Sequence, residues 1–318
     1  MRFLVATDGS PAAAIGIRQA TRWAGAAGAE LRIVAAVPPA ADLLGGSWAT
    51  VAVGGRTRAE AAARSMLAHR VQAELGAIPP GIIASSAIVE GRPADAILAE
   101  ARRCGADVIV VGARGHGALA SMLLGSVSEE VVDRSPVPTL VARQPGLDRI
   151  VVAVDGSPAS ESAVELVASP AFRGLEGWVV DVAPTSHPWW VGMAAADAAN
   201  LERLAEIYET AGARDRAAAE AASAKLRAAG LLSNSCHRIG DAADEIIRAA
   251  AEVGADTIVI GSRGLTGVTR LILGSVARKV LRHSEASVLV VHPVVTAPLR
   301  SVETPAAESD PVLVATAR

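Results

Sequence analysis

Apolar residues in this chain gather into short, dense runs: Arg2 to Ala6, Leu31 to Val37, Ile82 to Val89, Val108 to Val111 and Pro138 to Ala142. Each is strand-sized, and helical stretches fill most of the intervals between them. Ser10-Pro11 marks a helix start, because a serine can cap free amides and proline fits the first turn, where its missing N–H is not needed. That helix is predicted to run to about Gly28. Arg92-Pro93-Ala94-Asp95 opens a third helix that Gly105 ends, and Ser126 opens a fourth that Ser135-Pro136 closes. The predicted order is β-α-β-α-β-α-β-α-β. Runs this continuous, without strict alternation of apolar and polar positions, belong to parallel strands covered on both faces.

The whole pattern then recurs, with strands predicted at Ile150 to Val154, Gly177 to Val182, Asn234 to Ile239, Thr257 to Ile260 and Ser287 to Val291. The recurrence extends to individual residues. M-R-F-L-V-A-T-D-G-S-P at Met1 returns as R-I-V-V-A-V-D-G-S-P at Arg149, and G-A-R-G-H-G-A-L-A-S-M-L-L-G-S-V at Gly112 returns as G-S-R-G-L-T-G-V-T-R-L-I-L-G-S-V at Gly261. Asp8 and Asp155 are offset by 147 residues, Gly112 and Gly261 by 149. This is a duplicated α/β unit of domain size: two tandem, open, five-stranded parallel sheets, with domains at 1–145 and 146–295 and a tail at 296–318 expected to be mostly disordered. Between the second strand and second helix each half inserts a longer irregular stretch, Pro38 to Arg56 and Pro184 to Asn200, holding Trp48 and Trp189-Trp190.

Composition narrows the function classes. Of 318 residues, 51% are hydrophobic but only 3% aromatic, so the core must be aliphatic. A net charge of −3 without a dense Lys/Arg stripe argues against nucleic acid as a partner. The longest uncharged stretches fall short of the roughly 18 apolar residues of a membrane span. The strand pattern begins at Arg2, and Cys104 and Cys236 do not correspond between the halves, so the expectations are no signal peptide, reduced thiols, no metal site and a cytoplasmic location.

In open parallel sheets, ligands bind beyond the carboxyl ends of the strands, where the strand order reverses, and Asp8 and Gly112 both follow strand ends. Phosphates need several N–H donors and a favourable field in one place, which a helix start supplies. Gly112 and Gly115 would let the backbone approach an anion, Gly125-Ser126 and Gly274-Ser275 open helices with hydroxyls to donate, and Arg114 and Arg263 add charge. Taken singly, a G-x-x-G loop or Asp8-Gly9-Ser10 reads equally as a turn. Their joint repetition, in the same order and at the same strand ends, favours a ligand site in each half.

This constellation resembles the universal stress protein family, in a tandem form of its ATP-binding branch. The resemblance covers Met1 to about Val294 and rests on the signature G-2x-G-9x-G-S/T, carried by Gly112, Gly115, Gly125 and Ser126, and again by Gly261, Gly264, Gly274 and Ser275. It implies a Rossmann-like fold of the adenine-nucleotide alpha-hydrolase kind, with one ATP per half and Mg²⁺ bridging the phosphates. Asp8 and Asp155 would lie at the adenosine side, with Ala6, Thr7, Ala153 and Val154 leading into them. The ends of the second strands, near Val37 and Val182, would meet adenine through the backbone. Val127 and Ser128, or Val276 and Ala277, would complete the phosphate cradle, Ala277 lacking the hydroxyl of Ser128. The halves would pair about a pseudo-twofold axis through the last strands, Pro138 to Ala142 and Ser287 to Val291. A homodimer and an unidentified protein partner are further expectations.

Other chemistries find less support. A P-loop and a G-x-G-x-x-G after the first strand are both absent. His116 is matched by Leu265, and Glu129-Glu130 by Arg278-Lys279, so no acid–base pair repeats and no catalytic residue is expected. A slow ATPase or nucleotidyl transferase, a structural module and a cyclic-nucleotide binder stay as rivals. Ser126-Val127-Ser128-Glu129 has capping-box spacing, which would turn Glu129 back onto the helix start and favour ATP in the second half, where Arg278 stands instead.

Overall fold

The computed structural model describes residues 1–39, 53–113, 124–183, 212–213, 216–264 and 273–293. The first half comprises β1 (Arg2–Ala6), α1 (Pro11–Ala27), β2 (Glu30–Val37), α2 (Val53–Gly76), β3 (Ala84–Glu90), α3 (Pro93–Cys104), β4 (Val108–Gly112), α4 (Ser126–Arg134) and β5 (Thr139–Ala142). The second repeats it with β6 (Arg149–Ala153), α5 (Pro158–Val167), a 3-10 turn (Pro170–Phe172), β7 (Glu176–Ala183), α6 (216–228), β8 (Leu232–Ile239), α7 (Ala242–Val253), β9 (Thr257–Gly261), α8 (Ser275–His283) and β10 (Ser287–Val291). The strands stand where the apolar runs place them, to within two residues. The stretch expected to be irregular up to Arg56 is helical from Val53. Trp48, Trp189-Trp190 and the tail from 296 lie outside the described residues.

The strand order is β3-β2-β1-β4-β5-β10-β9-β6-β7-β8. Each half is the expected open parallel sheet, but the two are not separate: β5 and β10 pair antiparallel and fuse them into one sheet of ten strands. Leu140 faces Leu289 in that ladder, and these are equivalent residues of the two copies, so the pseudo-twofold axis passes between them. Burial follows position. β4, β9 and β10 are buried along their whole length, whereas the edge strands β3 and β8, with Ser85-Ser86 and Ser233-Asn234-Ser235, are only partly covered.

Two aliphatic layers flank the sheet. One packs α1, α2, α5 and α6 against Phe3, Ile33, Ile150 and Val179; the other packs α3, α4, α7 and α8 against Leu4, Ile109, Val151 and Ile258. The few aromatic residues concentrate in the first layer. Trp23 lies 4.7 Å from Phe3 and 4.8 Å from Phe172, ring centre to ring centre, so the chain's two phenylalanines meet on one indole, and Phe172 comes from the second half.

Candidate functional site

The strand order reverses between β1 and β4 in the first half and between β6 and β9 in the second, so a crevice opens beyond the carboxyl ends of each pair. Asp8 and Asp155 sit at these openings. Asp8 Oδ1 accepts from Ser10 N at 2.9 Å and Asp155 Oδ1 from Ser157 N at 3.0 Å, while Ser10 and Ser157 cap α1 and α5. Gly9 and Gly156 have φ of 74° and 72°, a conformation that suits glycine. One oxygen of each aspartate is thus used by the turn. In the second half the other lies beside the glycine loop: a Cβ on Gly264 would stand 2.6 Å from Asp155 Oδ2. Ser157 Oγ also donates to Arg263 O at 3.1 Å. The strand-end aspartate and the glycine loop therefore meet at one crevice. Their first-half counterparts in the loop, Arg114, Gly115 and His116, lie outside the described residues.

The signature glycines divide by what surrounds them. A Cβ on Gly112 would fall 2.8 Å from the backbone of Ala12, and one on Gly261 2.8 Å from Ser160 N. These two glycines let the first turn of α1 or α5 pack onto the end of β4 or β9; the space expected for an anion is filled by a helix. Gly264 instead faces the aspartate. Gly125 N bonds Ala113 O and Gly274 N bonds Ser262 O, both at 2.8 Å, closing the loops ahead of Ser126 and Ser275.

Ser126 and Ser275 begin α4 and α8, whose N-cap residues are Gly125 and Gly274 and carry no side-chain cap. By contrast α1, α5 and α7 are capped by Ser10, Ser157 and Asp241. Among the described residues no side chain caps the first amides of α4 and α8, and a helix start of this kind can receive an anion. The capping-box expectation fails here: Glu129 does not turn back onto its helix but pairs with Arg282 at 2.7 Å, across the seam between the halves. Ser128 is buried, and its hydroxyl donates to Gly112 O at 2.6 Å, so it braces the β4 end; Ala277 lacks that brace. Val127 and Val276 are partly buried beside the core.

Register corrects one pairing of residues. Val37 O accepts from Gly91 N, and its counterpart is Ala183, whose carbonyl accepts from Gly240 N; Val182 corresponds to Ala36. A slip of one residue moves a side chain to the other face of the sheet, and Val37 and Val182 accordingly pack in different layers. Ala6, Thr7, Ala153 and Val154 are all buried.

Two polar groupings had no signal in the repeat. In the first half Thr7 Oγ1 lies 2.8 Å from Glu74 Oε1, Gly9 N donates to Thr7 Oγ1, and Arg70 Nη1 donates to Gly9 O at 3.2 Å. Burial, with the charge of Asp8, lifts the Glu74 carboxyl above its usual range against the hydrogen bond from Thr7. In the second half Val154 replaces Thr7, and the neighbouring strands bring the buried Asp181 onto His237 Nδ1. Neither grouping recurs in the other copy, so comparing the copies could not reveal it. Cys104 and Cys236 are both free thiols.

Among the described residues no helix is long and apolar enough to cross a membrane, and no group of three or more His, Cys, Asp or Glu is gathered for a metal. The family model described as universal stress protein family matches residues 1–143 and again 146–292. A universal stress protein of Mycobacterium tuberculosis is 28% identical over 315 residues, covering 90% of this chain and 93% of its own. One from Thermus aquaticus is 39% identical over 140 residues, 44% of this chain and 96% of its own. In overall shape the chain is similar to a crystal structure of a universal stress protein from Archaeoglobus fulgidus, with a TM-score of 0.64 at 21% identity over 92% of this chain and 98% of that one.

Proposed function

Because the chain belongs to the universal stress protein family, we propose that each half binds one ATP and that occupancy, not turnover, is the output, changing shape or partner binding in a cytoplasmic stress or growth response. The observation that carries this reading is the joint placement of Asp155, Gly264 and the uncapped start of α8 at one crevice, with the same signature residues in the first half. The residues fit a nucleotide. Gly264 keeps a cradle open that a Cβ would fill, and the first amides of α4 and α8 offer donors to phosphate oxygens. Arg263 adds charge from the same loop. Asp155, with one oxygen committed to the Ser157 turn, presents the other toward the loop, on the adenosine side of the bound nucleotide. Mg²⁺ would be carried by the phosphates themselves.

Mass spectrometry of small molecules released from the purified protein tests this directly. Recovered ATP at about two per chain supports it; a different nucleotide redirects it; an empty protein that also ignores millimolar ATP in calorimetry overturns it.

A further inference from the structure

The helices that open at the two glycine loops meet across the seam, and their charges are opposite in sign. Glu129 and Asp133 lie on α4; 149 residues later the same places on α8 hold Arg278 and Arg282. Arg282 reaches Glu129 at 2.7 Å, and Arg278 lies 3.7 Å from Glu129 and 3.4 Å from Asp133. Glu129, Asp133 and Arg278 are partly covered and Arg282 is exposed, so the Arg278 contacts are less screened than those of fully solvated pairs.

Symmetry makes the arrangement informative. Since Leu140 faces its own counterpart Leu289 at the axis, a first half joined to another first half through β5 would set Glu129 and Asp133 against copies of themselves. Two second halves would oppose arginine to arginine. Like charges placed this closely suppress the wrong partner.

Gln19 makes the same distinction by hydrogen bonding. Its side chain is wholly buried; Nε2 donates to Gly146 O at 2.8 Å and to Thr257 Oγ1 at 2.9 Å, and Oε1 accepts from Ser287 Oγ at 2.8 Å. The first-half counterparts of Thr257 and Ser287 are Val108 and Pro138, which offer no side-chain donor or acceptor. The second-half counterpart of Gln19 is Leu166. Either symmetric pairing would bury polar groups without partners. Two further contacts do not discriminate. Arg143 donates to Leu281 O and His292 to Val132 O, equivalent bonds that end on backbone and would form in any pairing.

We propose that α4, α8 and Gln19 make the seam a one-partner surface, which accepts the complementary half of its own chain and rejects a second copy of either half. The ten-stranded sheet then closes within one chain, and any homodimer uses another surface. The inference does not depend on nucleotide binding.

Charge reversal in the full-length protein tests it. E129R/D133R and R278E/R282E should each lower the thermal midpoint by about 5 °C, and the four changes together should return it to within about 2 °C of the unmodified chain. Unchanged midpoints in the doubles, or a quadruple variant no better than either, would overturn the proposal. Should the reversed chains not fold, E129Q/D133N and R278Q/R282Q take their place in the same cycle. Non-additive losses then support the selective seam, and additive ones refute it.

Discussion

At the scale of single residues, Gly112 and Gly264 belong to one signature yet do different work. Gly112 accommodates helix α1, so Gly112→Ala should destabilise the fold by about 2 kcal/mol through overpacking and leave any loss of ligand secondary to that. Among the described residues Gly264 faces only the Asp155 carboxylate, so Gly264→Val should keep the thermal midpoint and empty the second site; paired melting and calorimetric titrations separate the two outcomes. His292 makes a second prediction. Burial, with Arg263 nearby, holds its folded value below 6.5, against the hydrogen bond to Val132. As pH falls below 6.5 the unfolded chain takes up that proton before the folded one, so the stability present above 6.5 is progressively lost. His292→Gln should flatten the midpoint-against-pH curve between about pH 6.5 and 5, and an unchanged slope would assign that loss elsewhere. The residues of the signature were legible because they occur twice. Glu74 and the Asp181–His237 pair were not, since each stands in one copy alone and reaches its neighbour only through tertiary packing.

Elements show what capping chemistry contributes. Ser10 and Ser157 accept from the third amides of α1 and α5, whereas Ser126 and Ser275 start their helices behind glycine N-caps with no such bond. Ser10→Ala and Ser157→Ala should therefore cost about 1 kcal/mol each. Ser126→Ala and Ser275→Ala should leave stability nearly unchanged and weaken nucleotide binding; urea melts with and without ATP distinguish them. The strands could be read from their apolar runs because burial on both faces writes a continuous Val/Ile signal, as at Val108–Gly112. Register could not. Val37 and Val182 look equivalent as the last valines of their runs, but the ladder places Val37 opposite Glu90 and Val182 opposite Arg238, one step out of phase. The capping-box reading of Glu129 failed for a related reason: local spacing was correct, and the arginines that claim the carboxylate lie some 150 residues away on another helix.

For the whole molecule, the duplication foretold two sheets, and the resemblance foretold their meeting through the last strands. What neither disclosed is how far the copies have diverged at the seam, where Gln19, Thr257 and Ser287 face positions that their own counterparts could not satisfy. With Trp23 clasped between Phe3 and Phe172 across the same boundary, the halves share one core. The intact chain should accordingly melt in a single calorimetric transition with equal calorimetric and van't Hoff enthalpies; two resolved transitions would show the halves to be independent.

The antiparallel step between β5 and β10 also fixes which way each crevice looks. Strands of one copy point up where those of the other point down, so the two openings lie at opposite rims of the same sheet, half a turn apart. A partner that recognised one opening would meet the other facing away from it, so one chain would offer two separate docking ends.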